Sequence, residues 1–233
     1  MFRLDQVTAG YGATTVLKDV SLCVPDGTVA ALVGSNGAGK TTLLRTASGL
    51  LSPRSGRIHL GERDLTDARP HEMAAAGVCH VPEGRAIFPS LSVRENLLMF
   101  SAPGAEKESL GRAMEAFPVL GDRLDQTAGT MSGGQQQMVA LARAYMGNPR
   151  VILLDEVSMG LAPKLVDLIF EFLDRLKSMN VSLLLVEQYV SRALAVADYV
   201  YVLSRGRLTF AGDPDELADV DVFEHYMGTQ TPV

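Results

Sequence analysis

One stretch of the chain, Gly34-Ser35-Asn36-Gly37-Ala38-Gly39-Lys40-Thr41, has the residue types and spacing to handle phosphate, because it satisfies G-x-x-x-x-G-K-[ST] in full. Glycines let backbone N–H groups curl around phosphate oxygens at the positive end of a following helix. Lys40 then reaches the β- and γ-phosphates of a nucleotide, the Thr41 hydroxyl suits Mg²⁺, and Thr42 follows in the same first turn. A second stretch, Val151-Ile152-Leu153-Leu154-Asp155-Glu156, is an apolar strand ending in two acids. Beside a phosphate loop, Asp155 becomes the partner of Mg²⁺ and Glu156 is placed to polarise an attacking water. The third stretch is Met131-Ser132-Gly133-Gly134-Gln135, where Ser132 can cap a helix while Gly133 and Gly134 offer backbone N–H groups to an anion.

These residues need a strand before the loop, a helix after it and a strand under the acids. Phe2 and Leu4 alternate with polar neighbours, as do Val20, Leu22 and Val24, while 28–33 is nearly all apolar. The spacing predicts a helix over 40–48 that Gly49 stops, and a Ser92/Glu95 capping box opens another ahead of Leu97 and Leu98. A further helix near 110–117 ends at Pro118, and one from Ser132 stops at Gly147-Asn148-Pro149 with Met138, Leu141, Ala142 and Tyr145 on one face. Buried strands follow at 151–154, 181–186 and 199–203, and 163–179 carries Leu165, Leu168, Ile169, Phe172, Leu173 and Leu176 at helical spacing. The expected organisation is a mostly parallel α/β core, 1–83 and 150–233, interrupted by a helical subdomain at 84–149.

Composition narrows the function. The 233 residues hold 21 Lys plus Arg against 27 Asp plus Glu, a formal charge of -6, which disfavours sequence-independent binding to nucleic acid or anionic lipid. Cys23 and Cys79 lie in apolar stretches without C-x-x-C spacing, reading as core residues of a reducing, cytosolic compartment. No apolar run approaches the roughly 20 residues that span a bilayer, so work at a membrane requires another chain. His59, His71, His80 and His225 show no paired ligand spacing. Arg85 and Arg94 flank a helix start and are expected to face solvent or a partner.

Phosphate loop, Ser-Gly-Gly-Gln segment and acidic strand stand in the order of ATP-binding cassette ATPases, and the sequence resembles that family over essentially its whole length. The resemblance implies the ABC ATPase fold: a RecA-like P-loop NTPase core with N-terminal antiparallel strands and a helical subdomain. It implies ATP and Mg²⁺ as ligands, with Tyr11 stacked on adenine and Ser158-Met159-Gly160-Leu161 at a dimer interface. It also implies an ATP sandwich in which Ser132 to Gln135 of one cassette face the phosphate loop of the other.

A narrower likeness is carried by Val81-Pro82-Glu83-Gly84-Arg85, Ile87-Phe88-Pro89, Gly160-Leu161-Ala162-Pro163, Val186-Glu187-Gln188 and Tyr226-Met227-Gly228. Together they are similar to the smaller ATPase of branched-chain amino acid importers, with urea importers as the alternative. Expected partners are membrane permease subunits, a second ATPase subunit in a heterodimer or homodimer, and indirectly a solute-binding protein, at the cytoplasmic face of the membrane. Glu83 stands where most cassettes have Gln, and Gln188 where most have the His that contacts the γ-phosphate. Both join Glu156 as expected catalytic positions, Glu83 also near the metal. Val157 replaces a usual Pro and Ala162 a usual Asp, which puts stiffness and some interface hydrogen bonds in question. The segment 85–91 is expected to dock a short cytoplasmic helix of a membrane subunit, with Phe88 as anchor. A nucleotide-gated scaffold with little hydrolysis and a soluble cassette of translation or DNA maintenance remain as rivals.

Overall fold

The computed structural model of the chain describes residues 1–84, 87–101, 103–187 and 190–217. Gln188, Arg85, His225 and the Tyr226-Met227-Gly228 triplet lie outside the described residues. Two sheets organise the fold. Strands β1 (Phe2–Tyr11), β2 (Thr14–Val24), β4 (Ser55–Leu60) and β5 (Arg63–Asp64) form an antiparallel sheet in the order β2-β1-β4-β5. The second sheet has six strands in the order β10-β9-β3-β8-β7-β6, built from β3 (Val29–Val33), β6 (Val78–Val81), β7 (Val151–Asp155), β8 (Ser182–Val186), β9 (Tyr199–Ser204) and β10 (Arg207–Gly212). All its pairings are parallel except β9 with β10.

The parallel strands are apolar on both faces because each face meets a separate core. Ala30, Leu32, Val151, Leu153, Leu184 and Val186 point toward the antiparallel sheet and α1 (Lys40–Ala47). Val29, Ala31, Val33, Ile152, Leu154, Leu183 and Leu185 point toward α5 (Gly133–Met146) and α6 (Pro163–Ser178). Tyr201 fastens the two sheets, its hydroxyl donating to the Cys23 carbonyl at 2.8 Å and accepting from the Cys23 N–H at 3.0 Å.

Local chemistry explains where the simple alternation of β1 breaks. Phe2 and Leu4 are buried, and then Val7 and Ala9, because Gln6 takes a left-handed φ of 48° and the pairing register shifts between Leu4 and Val7. Helix α2 (Pro70–Ala76) leads into β6, the helical region holds α3 (Val93–Leu98) and α4 (Glu106–Ala116), and α7 (Val190–Val196) follows β8. Helix α3 opens on the expected capping box: Ser92 Oγ accepts from the Glu95 N–H at 3.1 Å, and Glu95 accepts from the Ser92 N–H at 2.7 Å.

Three expectations need correction. Helix α4 starts at Glu106, one turn before the apolar residues that suggested it. Helix α5 is buried around most of its circumference, with Val139, Ala140 and Ala144 joining the expected stripe, since it packs on α3, α4, α6 and β6 at once. Leu168 is exposed, so the buried face of α6 is Val166, Ile169, Phe170, Phe172, Leu173 and Leu176. Phe172 anchors it with its ring 4.5 Å from Phe117 and 5.9 Å from Tyr145, edge-on to the latter.

Candidate nucleotide site

The phosphate loop leaves the buried strand β3 and re-enters regular structure at Lys40, the first residue of α1. Its glycines answer specific demands. A Cβ on Gly34 would sit 2.3 Å from the Leu203 carbonyl, and Gly39 holds φ at 112° where the helix begins without a side-chain cap. The uncapped start leaves the first N–H groups of α1 for a ligand. A feature the sequence did not signal is the β9–β10 turn beneath the loop: the Gly206 N–H donates to the Ala38 carbonyl at 2.9 Å, while its own carbonyl accepts from Lys18 at 2.8 Å. At φ 79°, with a Cβ 1.8 Å from the Val16 carbonyl, that position admits only glycine.

A depression of about 280 Å³ opens over the loop, lined by Val16, Asn36, Gly37, Gly39, Lys40, Thr41, Thr42 and Glu156. Val16 is an apolar wall that no motif announced. Lys40 is only 9% exposed. Its Nζ donates to the Gly34 carbonyl at 2.6 Å and the Ser35 carbonyl at 3.1 Å, so the cation is folded back on its own loop. Burial pushes its pKa down, partly countered by Glu156 and Asp155.

Asp155 ends β7 at 2% exposure. Burial raises its carboxyl pKa; the Thr41 hydroxyl bond opposes this, the charges of Glu156 and Glu83 add to it, and Lys40 opposes it. Its Oδ2 is buried without a hydrogen-bond partner. An orphaned carboxylate oxygen beside a hydroxyl, close to other acids, suits a hard divalent cation that takes one or two protein oxygens and completes its shell from phosphates and water. Thr41 and Asp155 therefore fit Mg²⁺. Among the described residues no three His, Cys, Asp or Glu side chains cluster to hold a metal by themselves.

Glu156 adopts a left-handed φ of 49°. Such a conformation costs about 1–3 kcal/mol in a non-glycine residue and persists where the surroundings enforce it. The Glu156 N–H donates to the Val186 carbonyl at 2.8 Å, extending the β7–β8 pairing by one residue while the side chain turns into the depression. Glu83 lies in the exposed turn after β6, near enough for its charge to reach Asp155. Val157 is buried at 2% exposure and Ala162 is the N-cap of α6 without a side-chain cap bond, so an exposed Asp there would have capped the helix.

The remaining expected residues stand apart from the depression. Tyr11 is 44% exposed at the end of β1, its hydroxyl accepting from Arg45 of α1 at 3.3 Å. Ser132 caps α5, accepting from the Gln135 N–H at 3.4 Å while Gln135 Oε1 accepts from the Ser132 N–H at 3.0 Å. Gly134 is buried against Leu165 of α6, with Gly133 preceding it at the start of the helix. Phe88 is 41% exposed and Arg143 stacks over Phe100 at 4.4 Å and toward Phe88 at 5.8 Å, beside a second, apolar groove of about 440 Å³. Arg94 pairs with Asp125 at 3.2 Å.

His80 lines that groove. Ser48 Oγ is 3.3 Å from its Nδ1, Nε2 is buried without a partner, and burial, aided by the Arg45 charge, lowers its pKa from 6.5 to about 4. Because the folded value lies below the unfolded one, the unfolded chain binds more protons between them. The contribution is full above pH 6.5 and is lost as pH falls toward about 4, of order 3 kcal/mol at the limit. Thermal midpoints should fall on acidification across this window, and His80→Asn should flatten that slope; an unchanged slope would assign it to other groups.

A strand, glycine-rich loop and helix that bring Lys40 and Thr41 against two acids on a nearby parallel strand define a P-loop nucleotide-binding protein. The profile of the ABC transporter family matches residues 17–159, more than half of the chain, and the chain belongs to that family. It is an ATPase of the cassette type. It is 42% identical over 211 residues, covering 89% of this chain and 91% of the relative, to a high-affinity branched-chain amino acid transport ATP-binding protein of Pseudomonas aeruginosa. A probable branched-chain amino acid transport ATP-binding protein of Archaeoglobus fulgidus is 36% identical, with 96% of this chain and 97% of the relative covered. Among solved structures, a nucleotide-free ATP-binding cassette from an ABC transporter superimposes with a TM-score of 0.85 at 28% identity, covering 97% of this chain and 98% of the other. Another cassette, in its ADP conformation, gives 0.84 at 29% identity with 98% of each chain covered.

Proposed function

We propose that the chain is the ATP-hydrolysing subunit of an importer for branched-chain amino acids, bound at the cytoplasmic face of the membrane to permease subunits and paired with a second ATPase subunit. The observation that carries the reading is the near full-length similarity to two ATP-binding proteins of branched-chain amino acid transport. Among the described residues no helix is long and apolar enough to cross a membrane; in the proposed complex the permease subunits supply the attachment. The exposed Phe88 beside the apolar groove is the proposed seat of a permease segment.

In this mechanism the first N–H groups of α1 and the loop glycines bind the phosphates of ATP. Lys40 exchanges its bonds to the Gly34 and Ser35 carbonyls for the β- and γ-phosphates. Thr41 and Asp155 would hold Mg²⁺, which supplies charge neutralisation on the phosphate oxygens. Glu156 accepts a hydrogen bond from the attacking water and takes its proton as the new oxygen–phosphorus bond forms and the bond from the γ-phosphorus to the β–γ bridging oxygen breaks, leaving ADP and inorganic phosphate. Tyr11, which stands outside the depression, stacks on the base where it extends past the apolar wall of Val16, and Glu83 and Gln188 assist hydrolysis. Ser132, Gly133, Gly134 and Gln135 act on the nucleotide of the partner cassette, which is why they lie away from this chain's own depression. The helical residues 84–149 act as the subdomain that carries them.

The test is uptake in cells from which the chain has been removed. Uptake of labelled leucine, isoleucine and valine should be lost and return with the native chain; retained uptake with loss of urea transport would reassign the cargo.

A further inference from the structure

The end of β8 contains a buried acid that the mechanism has not used. Glu187 is 2% exposed, and its carboxylate accepts two hydrogen bonds from one residue: the Ser158 N–H donates to Oε1 at 3.0 Å and the Ser158 hydroxyl to Oε2 at 2.6 Å. Ser158 is itself fully buried and lies two residues beyond Glu156. Paired strands ordinarily part where the ladder ends. Here the last β7–β8 pair is Asp155 with Val186, the Glu156 N–H still reaches the Val186 carbonyl, and the Glu187 side chain carries the connection on to Ser158. Glu156 is thus held from both sides, by Asp155 in the sheet and by Ser158 on the clasp. That is what a left-handed non-glycine residue requires.

Val157 between them sharpens the point. A valine leaves φ free where a proline would have fixed it, so rigidity must come from hydrogen bonding. A carboxylate is suited to the task, because both its oxygens accept and each takes one of the two Ser158 donors; an amide has a single accepting oxygen, so with its NH2 turned to the Ser158 hydroxyl it cannot reproduce both bonds as they stand. Beyond Ser158 the chain emerges through exposed Met159 and left-handed Gly160 into α6, so the clasp also sets where that surface segment begins.

We propose that Glu187 is a positioning residue for ATP hydrolysis: through Ser158 it holds Glu156 in its left-handed conformation over the nucleotide depression. The inference rests on the proposed role of Glu156 as the group that activates water. Misplacing a reacting group by about 1 Å can cost about 10²-fold in rate while leaving ground-state binding untouched.

The experiment compares Glu187→Gln, Ser158→Ala and the double variant with the native full chain in its transporter complex. It measures kcat for phosphate release, Kd for MgATP and the nucleotide-free thermal midpoint, with Glu156→Gln in parallel. Glu187→Gln should lower kcat about 10- to 100-fold with Kd within about threefold. Ser158→Ala, which keeps the backbone donor, should lower kcat less, and the double variant should be no slower than Glu187→Gln, because the two residues act as one unit. A kcat within twofold of native in folded Glu187→Gln overturns the proposal, as do effects that multiply in the double variant or a loss confined to Kd. If Glu187→Gln does not fold, Ser158→Ala decides by the same kcat-against-Kd split, and if neither folds the clasp is structural and the proposal fails. Native turnover in Glu156→Gln removes the reading beneath it; slow Glu156→Gln with native Glu187→Gln removes only the clasp.

Discussion

Glu156→Gln should bind MgATP as tightly as the native chain and release phosphate about 10²–10⁴-fold more slowly, a rise of roughly 3–5 kcal/mol in the barrier. The substitution keeps the shape of the side chain and the backbone bond to the Val186 carbonyl, so the left-handed turn survives. It removes a negative charge that pushes up the pKa of Asp155, so the pair that would hold Mg²⁺ is relieved rather than weakened. It also removes a charge that favours the ammonium form of Lys40, but the phosphates themselves supply far more negative charge at that point. Binding and chemistry therefore separate in this variant. The measurement is steady-state phosphate release alongside nucleotide affinity, and native turnover would pass the base role to another acid, with Glu83 first because its charge also reaches Asp155.

Legibility in the sequence followed how local the cause was. The phosphate loop, the β7 acids and the Ser132 cap were readable because each is a contiguous pattern whose chemistry is set by neighbours in sequence. The two-faced burial of β3, β7 and β8 was readable for the same reason, as continuous apolar runs. What escaped depended on distant chain segments. Nothing near Gly206 announces that it carries Ala38 of the loop and Lys18 of β2, and nothing in the alternation of β2 marks Val16 as a wall of the depression. Leu168 satisfied the helical period yet faces out, because the period fixes a direction and only the neighbouring elements decide how wide the covered stripe is. The clasp between Ser158 and Glu187 joins residues 29 apart in sequence, and neither belongs to a pattern that predicts a bond to the other.

Lys40→Ala should abolish the stabilisation that MgATP gives the chain. A ligand at 100 times its dissociation constant contributes about 2.7 kcal/mol, which in a domain of this size raises the thermal midpoint by roughly 5–11 °C, and the variant should show no such rise. Among the described residues the loop cation has no substitute in the depression, whose other lining residues are neutral except Glu156. Without it, incoming phosphates meet Asp155 and Glu156 uncompensated, and Asp155 loses one of the two influences that hold its pKa down. Two effects oppose each other in the nucleotide-free variant. The Gly34 and Ser35 carbonyls lose their amine donor, which destabilises, while the cost of burying a cation disappears, which stabilises. The net change without nucleotide should accordingly be small against the lost ligand effect, and Lys40→Met, which keeps the aliphatic stem, separates lost packing from lost charge. The check is a pair of thermal melts with and without MgATP for each chain; a rise in Lys40→Ala equal to the native one would place the phosphates elsewhere.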